Sequence, residues 1–227
     1  MMDVLDGSCC LSPENRAKLT SCHDKSLVES TVNYIANSND PGKMKACQLL
    51  TSVTHENTAA CTQLCSYFEE IFDTLQHFDK HRGESQVAFD SSIYLLNMLT
   101  NCVEAVPEAS KGCFGADSIA VLLNMLTREL GPISSMILDG TEREVSMEEE
   151  DMLVLGGNVS VLLGTLLALP SSPFTNSILY KSDDVSISKE FLWMALTRFV
   201  TLMEVRCGLV SLGLATGVLK LIDFLRG

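Results

Sequence analysis

Apolar side chains return at steps of three and four along most of the chain. Cys61, Leu64, Cys65, Phe68, Ile71, Phe72 and Leu75 form one series, and Phe89, Ile93, Leu96, Leu99 and Val103 a second. Ile119, Leu122, Leu123, Leu126 and Leu130 follow. So do Phe191, Ala195, Phe199, Leu202 and Met203, and then Leu214, Val218, Leu221 and Leu225. A helix with 3.6 residues per turn gathers each series onto one apolar stripe. No comparable stretch alternates strictly, as a half-buried strand would. The spacing predicts helices over 24–37, 42–54, 57–79, 86–105, 117–130, 150–169, 188–206 and 211–225, with a short helical turn near 13–20. Connections this short favour antiparallel neighbours.

Punctuation supports these boundaries. Ser12-Pro13, Asp40-Pro41 and Ser172-Pro173 each read as an N-cap followed by Pro at the first helical position. Ser26 with Glu29 fits a capping box. Leu95-Leu96-Asn97-Met98-Leu99-Thr100 reappears 27 residues later as Leu122-Leu123-Asn124-Met125-Leu126-Thr127. That offset is short for an armadillo or HEAT unit, and chance similarity between two amphipathic helices explains it equally well. A single hairpin cannot bury its apolar face alone, so a run of them implies stacking. The expected fold is all-α, a HEAT/armadillo-like helical repeat solenoid of antiparallel helix pairs. It forms one domain over 1–227, with an exposed acidic loop at 131–149.

Composition narrows the function. Hydrophobic residues make up 46% of the 227, enough to bury a core, and aromatics only 6%. Sixteen Lys and Arg against 29 Asp and Glu leave a net charge of −13. An acidic surface repels phosphate, which argues against direct binding to nucleic acid or anionic lipid and favours a protein partner. Nine cysteines, an odd number, and no signal peptide at the start point to a reducing compartment. Most of the thiols are then small buried apolar groups.

Several constellations invite chemistry. Cys61, Cys65, His77 and His81 approximate a two-cysteine, two-histidine zinc spacing. Yet 61–75 reads as one uninterrupted helix, which would hold the two pairs roughly 20 Å apart. His77 and His81 alone lack the Glu of a metalloprotease motif and read as an exposed helix end. The apolar run 153–169 is short for a membrane span and carries Asn158, Ser160 and three glycines. It reads as a central helix buried on several sides, with Gly156, Gly157 and Gly164 admitting close neighbours. That burial also discounts the Asn158-Val159-Ser160 sequon. The acidic cluster 142–151 reads as a solvated face rather than a catalytic pair. There is no phosphate loop and no nucleophile elbow, so no enzymatic activity and no cofactor are expected. A thiol-dependent activity is the rival expectation, distinguishable by fast labelling of a reactive cysteine near pH 6.

In order, five segments of the second half resemble the C-terminal part of the Wapl (wings apart-like) family. Ser92 to Glu104 resembles its "LGLLINLVE" helix, and Gly115 to Leu130 stands where it has another amphipathic helix. Val159 to Leu166 resembles "YTALLLGCL", Phe191 to Met203 "LKKFLSFM", and Val218 to Leu225 "VIEYL". Glu142 to Asp151 occupies the place of the family's acidic insertion, shortened. The resemblance covers about 85–227. Upstream residues add hairpins without a family motif, and the family's Phe-Gly-Phe motifs are absent. The resemblance implies a HEAT-like fold and a nuclear, chromatin-associated role. Its members promote release of cohesin from chromatin through contacts with cohesin subunits and cohesin's HEAT-repeat accessory proteins, with no direct nucleic acid and no membrane. It also implies a partner-facing edge at Glu150, Asp151, Met152 and Val154, although the family's Met aligns with Glu150 here. The alternative is an unrelated armadillo-type adaptor.

Overall fold

Among the described residues every regular element is helical, as the three-and-four spacing requires. The computed structural model describes residues 14, 27–37, 42–139, 145–170, 172–175, 187–207 and 212–227. The turn expected near 13–20 lies almost wholly outside them. So do the caps expected at Ser12-Pro13 and Asp40-Pro41, the Ser26 half of its capping box and residues 140–144. The chain divides into two compact units, 1–115 and 116–227.

The first unit contains α1 (Leu27–Asn37), α2 (Lys43–Thr54), α3 (Thr58–Leu64), a 3₁₀ turn (Cys65–Tyr67), α4 (Phe68–His81), α5 (Gln86–Ala105) and α6 (Pro107–Cys113). Helix α5 is its axis, packed against α2, α3, α4 and α6. Leu95, Leu96, Met98, Leu99, Cys102 and Val103 on α5 are all buried, and each such Leu or Met contributes about 1.5–3 kcal/mol. Polar bonds set the register of α2 on α5. Thr51 Oγ1 donates to the Tyr94 carbonyl at 2.8 Å, and Asn101 Nδ2 donates to the Thr51 carbonyl at 3.2 Å and to Thr54 Oγ1 at 3.1 Å. Contacts climb both helices together, so α2 and α5 run in the same direction. Helix α1 packs on both α2 and α4.

Two boundaries differ from expectation. The helix predicted over 57–79 is broken, because Tyr67 leaves helical geometry at φ −122°, ψ 16°. Neither Gly nor Pro signals this break. Packing produces it, with Phe68, Phe72 and Phe114 meeting edge to face at centroid distances of 5.4–6.4 Å. The same packing anchors the end of α6, which the apolar spacing did not show. Helix α6 starts with Pro107 in its first turn, and Ser110 Oγ donates to the Cys102 carbonyl at 3.1 Å, tying it to α5.

The second unit contains α7 (Ala116–Leu130), α8 (Ser134–Asp139), α9 (Met147–Ala168), α10 (Lys189–Cys207) and α11 (Leu212–Arg226). Its axis is α9, in contact with α7, α10 and α11. By length and composition α9 could cross a membrane, but 72% of its most apolar window is buried inside the protein. Asn158 and Ser160 are satisfied within the helix, donating to the Val154 and Gly156 carbonyls at 2.8 Å each. A Cβ built on Gly156 would stand 2.4 Å from Leu130 Cδ2, one on Gly157 2.4 Å from Phe199 Cγ, and one on Gly164 2.9 Å from Leu221 Cδ2. All three neighbours therefore approach as closely as the sequence suggested. The segment 131–149 is not one irregular loop: α8 buries Met136 and Ile137, and Ile133 is buried just ahead of it.

The repeated hexapeptide sits differently in its two copies. Leu95, Leu96, Met98, Leu99 and Thr100 are buried and Asn97 is half-buried, whereas Leu123 is half-buried and Asn124 exposed. The first copy is enclosed on more than one side, and the second keeps a solvated face.

Candidate interaction surface

The start of α9 is built by an acidic capping box. Ser146 Oγ accepts from the Glu149 backbone N–H at 3.2 Å, and Glu149 Oε2 accepts from the Ser146 N–H at 2.9 Å. The helix therefore begins at Met147, about one turn earlier than the apolar run suggested. Glu148, Glu149 and Glu150 fall in its first turn, where carboxylates oppose the positive end of the helix dipole. The signal, Ser146 followed by Glu149 ahead of an apolar run, is present in the sequence.

The four residues expected at this edge are neighbours but not equivalents. Glu150 is half-buried and forms an ion pair with Arg206 near the end of α10. The carboxylate raises the guanidinium pKa further. Asp151 is exposed, Met152 and Val154 are half-buried, and Leu153 and Leu155 turn into the core. Met147, Asp151 and Val154 lie at i, i+4 and i+7 on one stripe. The structure adds residues that sequence reasoning passed over. Met147 is 81% exposed, and Val205, next to Arg206, is 77% exposed. Glu150 pairs with Arg206 and Gly157 meets Phe199, so α9 and α10 are antiparallel. Met147 at the start of α9 and Val205 near the end of α10 thus lie at the same end of this antiparallel pair as the acidic helix start and Arg206.

The thiols occupy another place. Cys61 is fully buried in α3; its Sγ lies 3.3 Å from the Thr54 carbonyl oxygen and 3.7 Å from that of Asn101, the nearer of which accepts its one proton. It hydrogen-bonds the buried Cys102 thiol, and that bond and then burial hold Cys102 far above an ordinary thiol pKa. Cys65 and Cys113 form a second pair, both partly exposed. Burial first, then the Cys65 thiol, pushes Cys113 up to about 12. Cys47 is also pushed up to about 12 by burial, against smaller opposing effects from Ser91 and Lys43. Thiols this high stay protonated at neutral pH and are weak nucleophiles.

Cys61 and Cys65 thus meet Cys102 and Cys113 rather than His77 and His81. Those histidine rings lie 4.6 Å apart on α4, tilted at 45° to each other, with His81 Nδ1 2.8 Å from the His77 carbonyl. Slight desolvation of this exposed ring, then His81, Lys43 and Lys80, lowers the His77 pKa. Among the described residues no three His, Cys, Asp or Glu side chains are grouped to hold a metal ion. Compared with known proteins, the chain matches no family model, no curated protein and no solved structure.

Proposed function

We propose that the protein is a non-enzymatic regulator of sister-chromatid cohesion of the Wapl type, promoting release of cohesin from chromatin through protein–protein contacts. The reading rests on the ordered resemblance of five segments over 85–227. The structural observation that carries it is the start of α9. Met152 and Val154 stay half-exposed beside Glu150 and Asp151 on a helix whose following residues are buried. Apolar side chains left at the edge of a charged rim suit a partner contact. A rigid surface of this kind acts by binding one state of its partner more tightly than the other, shifting the equilibrium toward release by that difference. The partners are cohesin subunits and cohesin's HEAT-repeat accessory proteins, and the location is nuclear.

The HEAT/armadillo character is part of this proposal. In the first unit α1 packs on α4 and α2 on α5, so corresponding helices of successive hairpins meet. The shared direction of α2 and α5 is what a translational repeat of hairpins requires. That stacking also favours the second reading, an armadillo-type adaptor unrelated to cohesin.

The test is capture of purified cohesin subunits and accessory proteins by the full chain at low salt, beside a Met152→Glu/Val154→Glu chain with unchanged helical circular dichroism. Binding that the double substitution abolishes supports the proposal. No binding to any of these proteins counts against the cohesin role. Equal binding by both chains moves the contact away from α9.

A further inference from the structure

Four cysteines from four different elements, Cys61 on α3, Cys65 in the 3₁₀ turn, Cys102 on α5 and Cys113 at the end of α6, gather as two thiol pairs. The first pair is sealed: Cys61 and Cys102 are both at zero exposure. The second is open to solvent, because Cys65 and Cys113 are each only partly covered. Cys113 Sγ already reaches across to the turn, 3.5 Å from the Cys65 carbonyl oxygen, while also lying 3.3 Å from the Ala109 carbonyl. The break in the helix after Leu64 places the Cys65 turn against α6. The edge-to-face trio of Phe68, Phe72 and Phe114 clamps the segments that follow each cysteine. Packing therefore holds the Cys113 sulfur against the Cys65 backbone.

From this geometry we propose that Cys65 and Cys113 are an oxidisable dithiol, which hydrogen peroxide closes slowly to a disulfide that staples the 3₁₀ turn to the end of α6. One thiolate attacks hydrogen peroxide, breaking the O–O bond to give a sulfenic acid and hydroxide, which takes up the released proton as water. The second thiol then displaces the sulfenic oxygen, which leaves as a second water as the S–S bond forms. Two thiols lose two electrons and peroxide gains them. Closure requires Cys113 to swing its sulfur from the Ala109 carbonyl toward Cys65, since S–S bonding needs about 2.05 Å. The attacking form is the thiolate, and Cys113 sits at about 12, so closure is slow at pH 7 and faster at pH 9. The Cys61–Cys102 pair stays reduced because oxidant does not reach it. The link closes a loop between positions 48 apart in sequence. By chain entropy it would raise the folded-to-unfolded ratio by up to about 1000-fold.

The test treats the reduced full chain with a few equivalents of hydrogen peroxide at pH 7 and 9, blocks remaining thiols by alkylation, and maps linked peptides by mass spectrometry. The expected result is a 2 Da loss traced to Cys65–Cys113, faster at pH 9, reversed by dithiothreitol, and accompanied by a higher thermal midpoint. In Cys65→Ser and Cys113→Ser chains that link and the midpoint rise both vanish. Mapping the wild-type chain decides the matter even where a variant folds poorly. A dominant link elsewhere, sulfinic acid at either residue without the link, or formation of the link only in denaturant would overturn it.

Discussion

Replacing Gly157 with Ala is a one-carbon change whose consequence can be worked from the packing of α9 on α10. In an exposed helix the change helps by about 1 kcal/mol, because glycine loses more backbone freedom on folding. At Gly157 the new Cβ would lie 2.4 Å from Phe199 Cγ, 2.5 Å from Cδ2 and 2.8 Å from Cβ. Comfortable carbon contacts are about 3.5–4.0 Å. A different Phe199 χ1 rotamer would carry Cγ and Cδ2 away but not Cβ, which moves only with the backbone. The two helices must therefore separate by close to 1 Å. Overpacking of this kind costs about 3 kcal/mol at the upper end of its usual range, leaving a net loss of about 2 kcal/mol. Trp193, the single tryptophan, lies on the same α10 and reports this unit in a urea titration followed by fluorescence. The Gly157→Ala midpoint should fall by about 1 M. Gly112 on α6 has nothing within 4 Å of a built Cβ, so Gly112→Ala should gain up to about 1 kcal/mol by circular dichroism. A Gly157→Ala midpoint at or above wild type would refute the argument that glycine is there for helix approach.

Other perturbations follow from single bonds. Asn101→Ala removes the amide that bridges Thr51 and Thr54 across α2 and α5; chemical denaturation should register a loss of about 1–3 kcal/mol. Ser146→Ala takes away one half of the α9 capping box, and a loss of about 1 kcal/mol is expected in the Trp193 transition. His77 has a folded pKa below its ordinary 6.5, so the unfolded chain takes up the proton first as the pH falls. Its contribution to stability is therefore intact above that value and lost as the pH falls through it. The drop in thermal midpoint between pH 7.5 and 5.5 should shrink in His77→Gln, and an unchanged drop would remove His77 from the account.

Periodicity alone placed the long helices, because burial demands an apolar stripe and the stripe is written in the residue order. Helix α5 matches its expected limits, and α2, α7, α10 and α11 differ by about one residue at either end. The all-round burial of α9 and the function of its glycines were also legible, since a nearly apolar run with small residues has no solvated face to offer. The partner-facing edge was named from a resemblance, not from spacing. Its extension to Met147, Val205 and Arg206 needed the hairpin partner 56 positions away. The break at Cys65–Tyr67 carries no Gly or Pro, and the aromatic trio with Phe114 packs directly beside it. The pairing of Cys61 with Cys102 and Cys65 with Cys113 was likewise beyond the sequence. A helical stripe says which side chains turn inward, while which of them meet depends on how separate helices pack, and that is settled only in three dimensions.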